Sequence, residues 1–325
     1  MIIYSEPKST DDVPIIDLTG TFEDGPARSA AAKAIRMACE NTGFFYVSHH
    51  GIDQALIDAA FAESRRFFDQ STGWKMKLAK QPGTNGYEPV ETQALDNQSP
   101  PDWKESYNFS AGAPVGSMDH VANLWPDQFP GFQDQLQTYH DAVRALGLHI
   151  SRLIALSLDM PFSHFDPTFE CQKASLRLLK YPPQPPSAKF NQIGAGAHTD
   201  WGWITVLAQD EIGGLEVETA SGEWITVKPI PGAFVVNLGD LILHWTNGRY
   251  HSSLHRVMNN RSGKDRYSIV LFYDQAWETP VDVLPTCIAT GETPKFEPCI
   301  SGEHRRAKYL ASRGMPATTK DPVPV

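Results

Sequence analysis

Hydrophobic and polar positions alternate in two distinct rhythms along this chain. Val13 to Leu18 reads Val-Pro-Ile-Ile-Asp-Leu, a short apolar segment that predicts an opening strand before a polar, turn-forming stretch. Between Ala27 and Thr42, Ala30, Ala34, Met37 and Ala38 recur at three- and four-residue steps, and Gly43 stands where a helix C-terminal glycine would. Phe44 to Val47 predicts a buried strand, and Gln54 to Phe68 a second helix with Leu56, Ala60, Phe61 and Phe67 near one face. From Gln81 to Pro130 the chain is rich in Gly, Pro, Asn and Asp, with Trp103, Tyr107, Phe109 and Trp125 interleaved. That mixture predicts loops and turns covering a pocket rather than a linker. A long helix is expected over Gln133 to Leu158.

The rhythm changes at Ser175. Short β-rich segments bounded by turn residues follow one another: Ser175–Tyr181, Trp203–Ala208, Leu215–Glu218, Trp224–Val227, Phe234–Asn237, Leu241–Trp245, Ser253–Val257 and Tyr267–Phe272. Strands at this spacing predict a sandwich or jelly roll. No internal repeat is present. The tail from Gly314 to Val325, with three prolines and no apolar periodicity, is expected to be disordered.

Composition narrows the partners. The 325 residues are 41% hydrophobic and 20% charged, with 28 Lys and Arg against 38 Asp and Glu, a net charge of −10. An acidic chain without basic runs is a poor match for nucleic acid or an anionic membrane, which leaves small molecules as the default ligands. Cys39, Cys171, Cys287 and Cys299 lie far apart with no CxxC pair, which fits a reducing compartment. Met1 to Asp12 lacks a basic segment followed by an apolar run, and no stretch approaches the ~18 apolar residues that span a bilayer. A cytoplasmic protein is expected.

Candidate chemistry begins with His-x-Asp, which occurs twice. His164-Phe165-Asp166 precedes a proline in a loop-like setting, whereas His198-Thr199-Asp200 opens the β-rich region. In extended backbone, residues two apart share a face, so His198 and Asp200 can present ligand atoms to one metal. A third ligand should come from another strand, and His255 in Ser253-Leu254-His255-Arg256-Val257 is the candidate; His244 and His251 compete from the same region. Two imidazoles and one carboxylate form the facial triad of non-heme Fe(II), which leaves adjacent coordination positions open. Farther on, Arg266 and Ser268 share a face at the start of an apolar strand. An inward guanidinium requires an anionic partner, such as a bound dicarboxylate or amino acid, while an outward one beside Lys264 and Asp265 would be an ordinary strand start.

These segments, taken in order, carry a resemblance. His198-Thr199-Asp200, the run Gln209 to Val217, the run Pro231 to Asp240, Trp245 to Tyr250, His255-Arg256-Val257 and Arg266-Tyr267-Ser268 resemble the iron- and 2-oxoglutarate-dependent dioxygenases of the isopenicillin N synthase-like family. Val13 to Asp17, Asn41 to Ile52, Gly86-Tyr87 and Asp102 to Glu105 resemble that family's N-terminal region. The resemblance implies a mainly β fold with α elements: a double-stranded β-helix (jelly roll) core flanked by N-terminal helices. It divides the chain into an N-terminal mixed region (13–125), a connecting helix (126–170), the jelly roll (171–275) and a C-terminal extension (276–325).

It further implies Fe(II) held by His198, Asp200 and His255, with 2-oxoglutarate chelating the metal and O2 taking the remaining position. Arg266 and Ser268 would receive the distal carboxylate, and Tyr181 matches a tyrosine that contacts the cosubstrate in many members. Those members often carry Asn two residues before that tyrosine; this chain has Leu179. The implied activity is oxidation of a small organic molecule, by hydroxylation, desaturation or cyclisation, with release of succinate and CO2. Oxidases of the isopenicillin N synthase type also resemble the chain and use O2 without 2-oxoglutarate. Tyr87, Phe109, Trp201 and Phe272 are the aromatic residues expected to face substrate.

Overall fold

The structure is a computed structural model, and it describes residues 13–93 and 100–312. The expectations for Met1 to Asp12 and for the tail from Gly314 fall outside the described residues. The N-terminal part supplies β1 (Ile15–Asp17), α1 (Pro26–Asn41), β2 (Phe44–Ser48), α2 (Gln54–Phe68) and a single-turn α3 (Thr72–Lys75). Four further strands follow, β3 (Thr84–Asn85), β4 (Tyr87–Glu88), β5 (Glu105–Ala111) and β6 (Ala122–Asn123), before the long α4 (Phe132–Ser157). The β-rich half holds β7 (Ala174–Tyr181), β8 (Ala195–His198), β9 (Ile204–Gln209), β10 (Leu215–Glu218), β11 (Trp224–Thr226) and β12 (Phe234–Leu238). After α5 (Asp240–Trp245) come β13 (His255–Val257) and β14 (Arg266–Tyr273). β15 (Pro280–Val281), β16 (Cys299–Ile300) and α6 (Ser301–Ser312) end the described chain.

An eight-stranded sheet runs in the order β1-β2-β12-β9-β14-β7-β5-β4, and a four-stranded sheet, β11-β10-β13-β8, faces it as the second wall of a jelly roll. The large sheet has two buried faces because its strands alternate. In β14, Ile269, Leu271 and Tyr273 point to one side, where they meet α1, α2 and α4 through Ile35, Phe61, Phe67, Ile150 and Leu153. Val270 points to the other side, into the space between the sheets, with Leu179, Tyr181, Val217 and Val257. Burial of each such side chain contributes about 1.5–3 kcal/mol.

Helix ends and close approaches follow local chemistry. Asp53 caps α2 by accepting from the Ala55 N–H at 2.9 Å. Gly43, at φ 67°, ends α1 by donating to the Ala38 carbonyl at 3.0 Å and turns the chain into β2. Gly147 sits in the middle of α4 because the Tyr273 ring presses there: a Cβ would stand 3.0 Å from its Cγ.

Two expectations are corrected. Leu241–Trp245 is helix α5 rather than a strand. A short apolar run has no decisive periodicity, and here the Asp240 and Leu241 N–H groups are tied to the carbonyls of Asp200 and Gly202 at 2.8 and 3.0 Å, which starts a helical turn. The stretch 81–130 is also more ordered than loops alone: β5 is seven residues long and pairs with β7 over its own full length.

Candidate metal and cosubstrate site

His198 ends β8 and His255 opens β13, and the two are paired across the small sheet. Asp200 lies just beyond β8. One ligand atom from each of His198, Asp200 and His255 lies within 4.8 Å of the others, and the Nε2 of His255 is 3.8 Å from Oδ1 of Asp200.

The surrounding hydrogen bonds select which atoms are presented. His198 Nδ1 is 2.7 Å from the Gly196 carbonyl, and His255 Nδ1 is 3.2 Å from the Ser253 carbonyl. A carbonyl only accepts, so each Nδ1 carries the proton and each Nε2 keeps its lone pair for a metal. Asp200 Oδ2 accepts from the Asn237 amide at 2.7 Å and from the Thr205 hydroxyl, which turns Oδ1 toward the imidazoles. Burial, then the neighbouring His255, push the His198 pKa down to about 3, which keeps the ring in its neutral, ligating form. Burial alone would raise the Asp200 pKa, but His255, His198 and the two hydrogen bonds hold it below the usual carboxylate range. His198 and Asp200 therefore present ligand atoms that carry no proton at neutral pH.

The competing histidines are elsewhere. Asp166, beside His164, is engaged by Arg152 at 2.7 Å. His251 donates its backbone N–H to the Cys39 carbonyl at 2.9 Å, and His244 belongs to a separate group with Cys299 and His304.

Strand register lays out the wall facing the triad. Tyr181 lies beside Arg266, Leu179 beside Ser106 and Ser268, Arg177 beside Asn108 and Val270, and Ser175 beside Ser110 and Phe272. Phe272 continues through Thr205 and Asn237, the supports of Asp200, to Phe44. At the far end Arg266 is 1% exposed, its guanidinium 4.7 Å from the centre of the Tyr181 ring. Nη2 donates to Gln209 Oε1 at 3.3 Å, whereas Nε, Nη1 and the Ser268 hydroxyl are buried without a hydrogen-bond partner among the described residues. A buried guanidinium fork left open beside a free hydroxyl is the donor set that a carboxylate completes.

A cavity of about 200 Å³ is lined by the three triad residues together with Leu179, Tyr181, Trp201 and Phe272, and Tyr181 is the lining residue against which the Arg266 guanidinium lies. Two of the aromatic residues expected to face substrate are not there. Tyr87 pairs with Tyr107, and both it and Phe109 point to the helix side of the large sheet. Tyr87 donates to the buried Glu105 carboxylate at 2.6 Å, and Phe109 packs on Trp125 with ring centres 4.8 Å apart. Strand alternation is the reason: on β5 it is Ser106, Asn108 and Ser110 that face inward.

The same alternation brings in two residues that the motifs did not single out. Lys104, 6% exposed, lines the cavity, and its charge adds to the lowering of the His198 pKa; its Nζ donates to Asp102 Oδ2 at 2.7 Å. Arg177 lines it too, with Nη2 donating to Glu88, Gln93 and Ser106 at 3.0, 2.9 and 2.9 Å. The alternation of polar and aromatic positions from Lys104 to Ser110 was the available signal.

A jelly roll with an open His-Asp-His set and an unsatisfied arginine on the facing wall defines a class, the non-heme iron oxygenases that take an acidic cosubstrate. Comparison with known proteins agrees. Residues 13–128 match the family described as non-haem dioxygenase in morphine synthesis N-terminal, and residues 172–275 match the 2OG-Fe(II) oxygenase superfamily. The chain is 37% identical over 317 residues to the 2-oxoglutarate-Fe(II) type oxidoreductase hxnY of Emericella nidulans, covering 93% of this chain and 90% of that protein. It is 36% identical to a homoarginine-6-hydroxylase of Oryza sativa subsp. japonica, covering 85% and 87% respectively. Among solved structures it resembles a full-length Neurospora crassa protein in complex with alpha-KG and thymine, with a TM-score of 0.83 at 28% identity over 93% of this chain and 96% of that one.

The chain belongs to the 2OG-Fe(II) oxygenase superfamily. It is accordingly a 2-oxoglutarate-dependent dioxygenase that uses Fe(II), 2-oxoglutarate and O2; relatives named for 2-oxoglutarate favour this over the oxidase alternative.

Proposed function

We infer that His198, Asp200 and His255 hold the ferrous ion, that Arg266 and Ser268 bind the distal carboxylate of 2-oxoglutarate with Tyr181 packed beside it, and that the enzyme hydroxylates a small organic molecule lying against Trp201 and Phe272. The observation that carries this reading is the pairing of three convergent ligand atoms lining the cavity with a buried guanidinium, 4.7 Å from the ring centre of the cavity residue Tyr181, whose Nε and Nη1 lack partners among the described residues. Bound iron and 2-oxoglutarate supply the oxidising chemistry, in which O2 converts 2-oxoglutarate to succinate and CO2 while one oxygen atom enters a C–H bond of the substrate.

The protein's own groups position and shield. Gly196 and Ser253 carbonyls hold the imidazoles in the ligating tautomer, and Asn237 and Thr205 fix the carboxylate. Leu179 and Val270 line the cavity between Arg266 and the triad with apolar surface, so the cosubstrate chain lies out of water. Where many relatives carry an asparagine, Lys104 is the polar group this chain offers near the metal, with its ammonium steered by Asp102. At the β5 side, Arg177 and Asn108 give the cavity polar contacts for an acceptor group on the substrate.

The test is anaerobic titration of the iron-loaded protein with 2-oxoglutarate, followed by exposure to O2. A visible charge-transfer band and succinate formation are expected, both lost in His255→Ala. A protein that binds iron yet gives neither would rule the reading out. For location, four free cysteines support a reducing compartment such as the cytoplasm, to be checked by cell fractionation. Among the described residues no helix is long and apolar enough to cross a membrane.

A further inference from the structure

A second group of metal-ligating side chains lies outside the cavity. His244 on α5, Cys299 on β16 and His304 on α6 present ring nitrogens and a sulfur within 4.8 Å of one another. The Sγ of Cys299 is 3.7 Å from Nδ1 of His244. Tetrahedral zinc, with bonds of about 2.3 Å to sulfur and 2.0–2.1 Å to nitrogen, sets an S···N edge of about 3.6 Å. The His244 ring is held in place by stacking on Phe296, ring centres 4.5 Å apart at 24°, and the His304 ring stands 5.1 Å from it, tilted by 69°.

Hydrogen bonding within the protein does not satisfy this group: the Cys299 thiol has one proton to share with His244 Nδ1, and Nε2 of His304 is buried with no hydrogen-bond partner among the described residues. A cation would engage all three atoms at once.

We propose that His244, Cys299 and His304 bind a second metal ion of zinc type, distinct from the catalytic iron, which clamps the C-terminal helix to the body of the enzyme. Donor chemistry separates the two sites: a thiolate with two imidazoles selects zinc-like ions, whereas a carboxylate with two imidazoles and open positions suits ferrous iron. On binding, Cys299 releases its thiol proton to solvent and the S–metal bond replaces the S–H bond, with no change in oxidation state. A water completes the fourth position.

The location gives the ion a purpose. α5 begins at Asp240, whose N–H is bonded to the Asp200 carbonyl, and His244 follows about one helical turn later on the same helix. α6 carries Arg305, Tyr309 and Ser312 to the cavity wall, and Lys308 joins it to Asp240 at 2.7 Å. A metal tying His244 to His304 fixes the helix that closes the cavity to the helix that backs the catalytic aspartate.

The experiment uses the full chain, freed of metal, loaded anaerobically with one equivalent of Fe(II) and 2-oxoglutarate, and then titrated with Co2+. One equivalent of a near-ultraviolet thiolate-to-cobalt band is expected, bleached by one equivalent of Zn2+, while the visible iron–cosubstrate band persists. Cys299→Ser and His304→Ala should lose the cobalt band and keep the iron band, and Cys171→Ser, at an exposed cysteine, should keep both. His255→Ala should keep the cobalt band and lose the iron band, which separates failure of this site from failure of the catalytic one. Absence of a thiolate band in the unaltered protein overturns the proposal whatever the variants do, and so does its persistence in Cys299→Ser. Chelation of the zinc should speed amide exchange across 301–312 by about tenfold; unchanged exchange overturns the clamp.

Discussion

At the scale of single residues, the site depends on donors that leave little room for substitution. Arg266 offers a buried fork, and Lys in its place keeps the charge but not two directed N–H groups. Arg266→Lys should raise the KM for 2-oxoglutarate about 10- to 100-fold, the loss of roughly one or two charge-assisted hydrogen bonds, and leave kcat at saturation within a few-fold. Succinate release across a cosubstrate series measures it, and an unchanged KM would remove Arg266 from the cosubstrate site. Asn237→Ala removes a 2.7 Å donor from Asp200 Oδ2. Ferrous affinity should fall about 10- to 100-fold in competition with a chelator, the usual effect of losing a ligand's supporting hydrogen bond; equal affinity would show that Thr205 suffices. The candidate ligands and Arg266 were legible because each is a rare residue at a fixed step within an ordered set of motifs. Tyr87 and Phe109 were misjudged because their direction depends on the phase of β4 and β5, and a segment read as loop has no phase. For the same reason Lys104 stayed hidden, whereas Arg177 lay in a segment read as strand, Ser175–Tyr181, but belonged to no motif.

At the scale of elements, long periodic segments were readable and short apolar ones were not. α2 has the predicted bounds, and the predicted long helix lies within one residue of α4 at each end, because fifteen to twenty-six residues carry several turns of apolar signal. Leu241–Trp245 was opaque, since its helix starts from tertiary hydrogen bonds to Asp200 and Gly202. α4 also makes a titration behaviour explicit. Its His149 is buried against Phe22, 4.0 Å between ring centres, with Nε2 2.8 Å from the Thr21 hydroxyl. Burial, reinforced by Arg28 and Arg152, pushes its pKa down to about 4 from an unfolded value of about 6.5. The unfolded chain therefore binds the proton that the folded one refuses, so this residue's contribution to stability is full above about pH 6.5 and lost progressively as pH falls toward 4. Melting temperature should drop over that window, and His149→Phe should flatten the drop whatever it does to stability at pH 8. An identical slope in the variant would assign the acid sensitivity to other groups.

At the scale of the whole molecule, the cavity is assembled from segments far apart in the chain, and its chemistry is only as good as their closure. Lys80 from the N-terminal part, Trp201 from the jelly roll and Tyr309 from α6 meet at its wall: the Tyr309 ring stands 6.4 Å from that of Trp201 at 82°, and the Lys80 ammonium lies 6.0 Å above it. α6 is held down by Arg305, which donates to the buried Asp119 carboxylate at 3.2 Å. The wall cannot be inferred from motifs, because the motifs end near residue 275 while the closing helix is built from residues 301–312. An oxygenase of this class needs substrate held over the metal and water kept out, or cosubstrate is consumed without product. Tyr309→Ala opens the wall at the α6 side, far along the sheet from Arg266. Its expected effect is a fall in product formed per succinate released, with the KM for 2-oxoglutarate and the iron–cosubstrate band unchanged. If product and succinate instead fall together, Tyr309 acts on cosubstrate turnover itself; if neither falls, the C-terminal helix has no part in shielding the reaction.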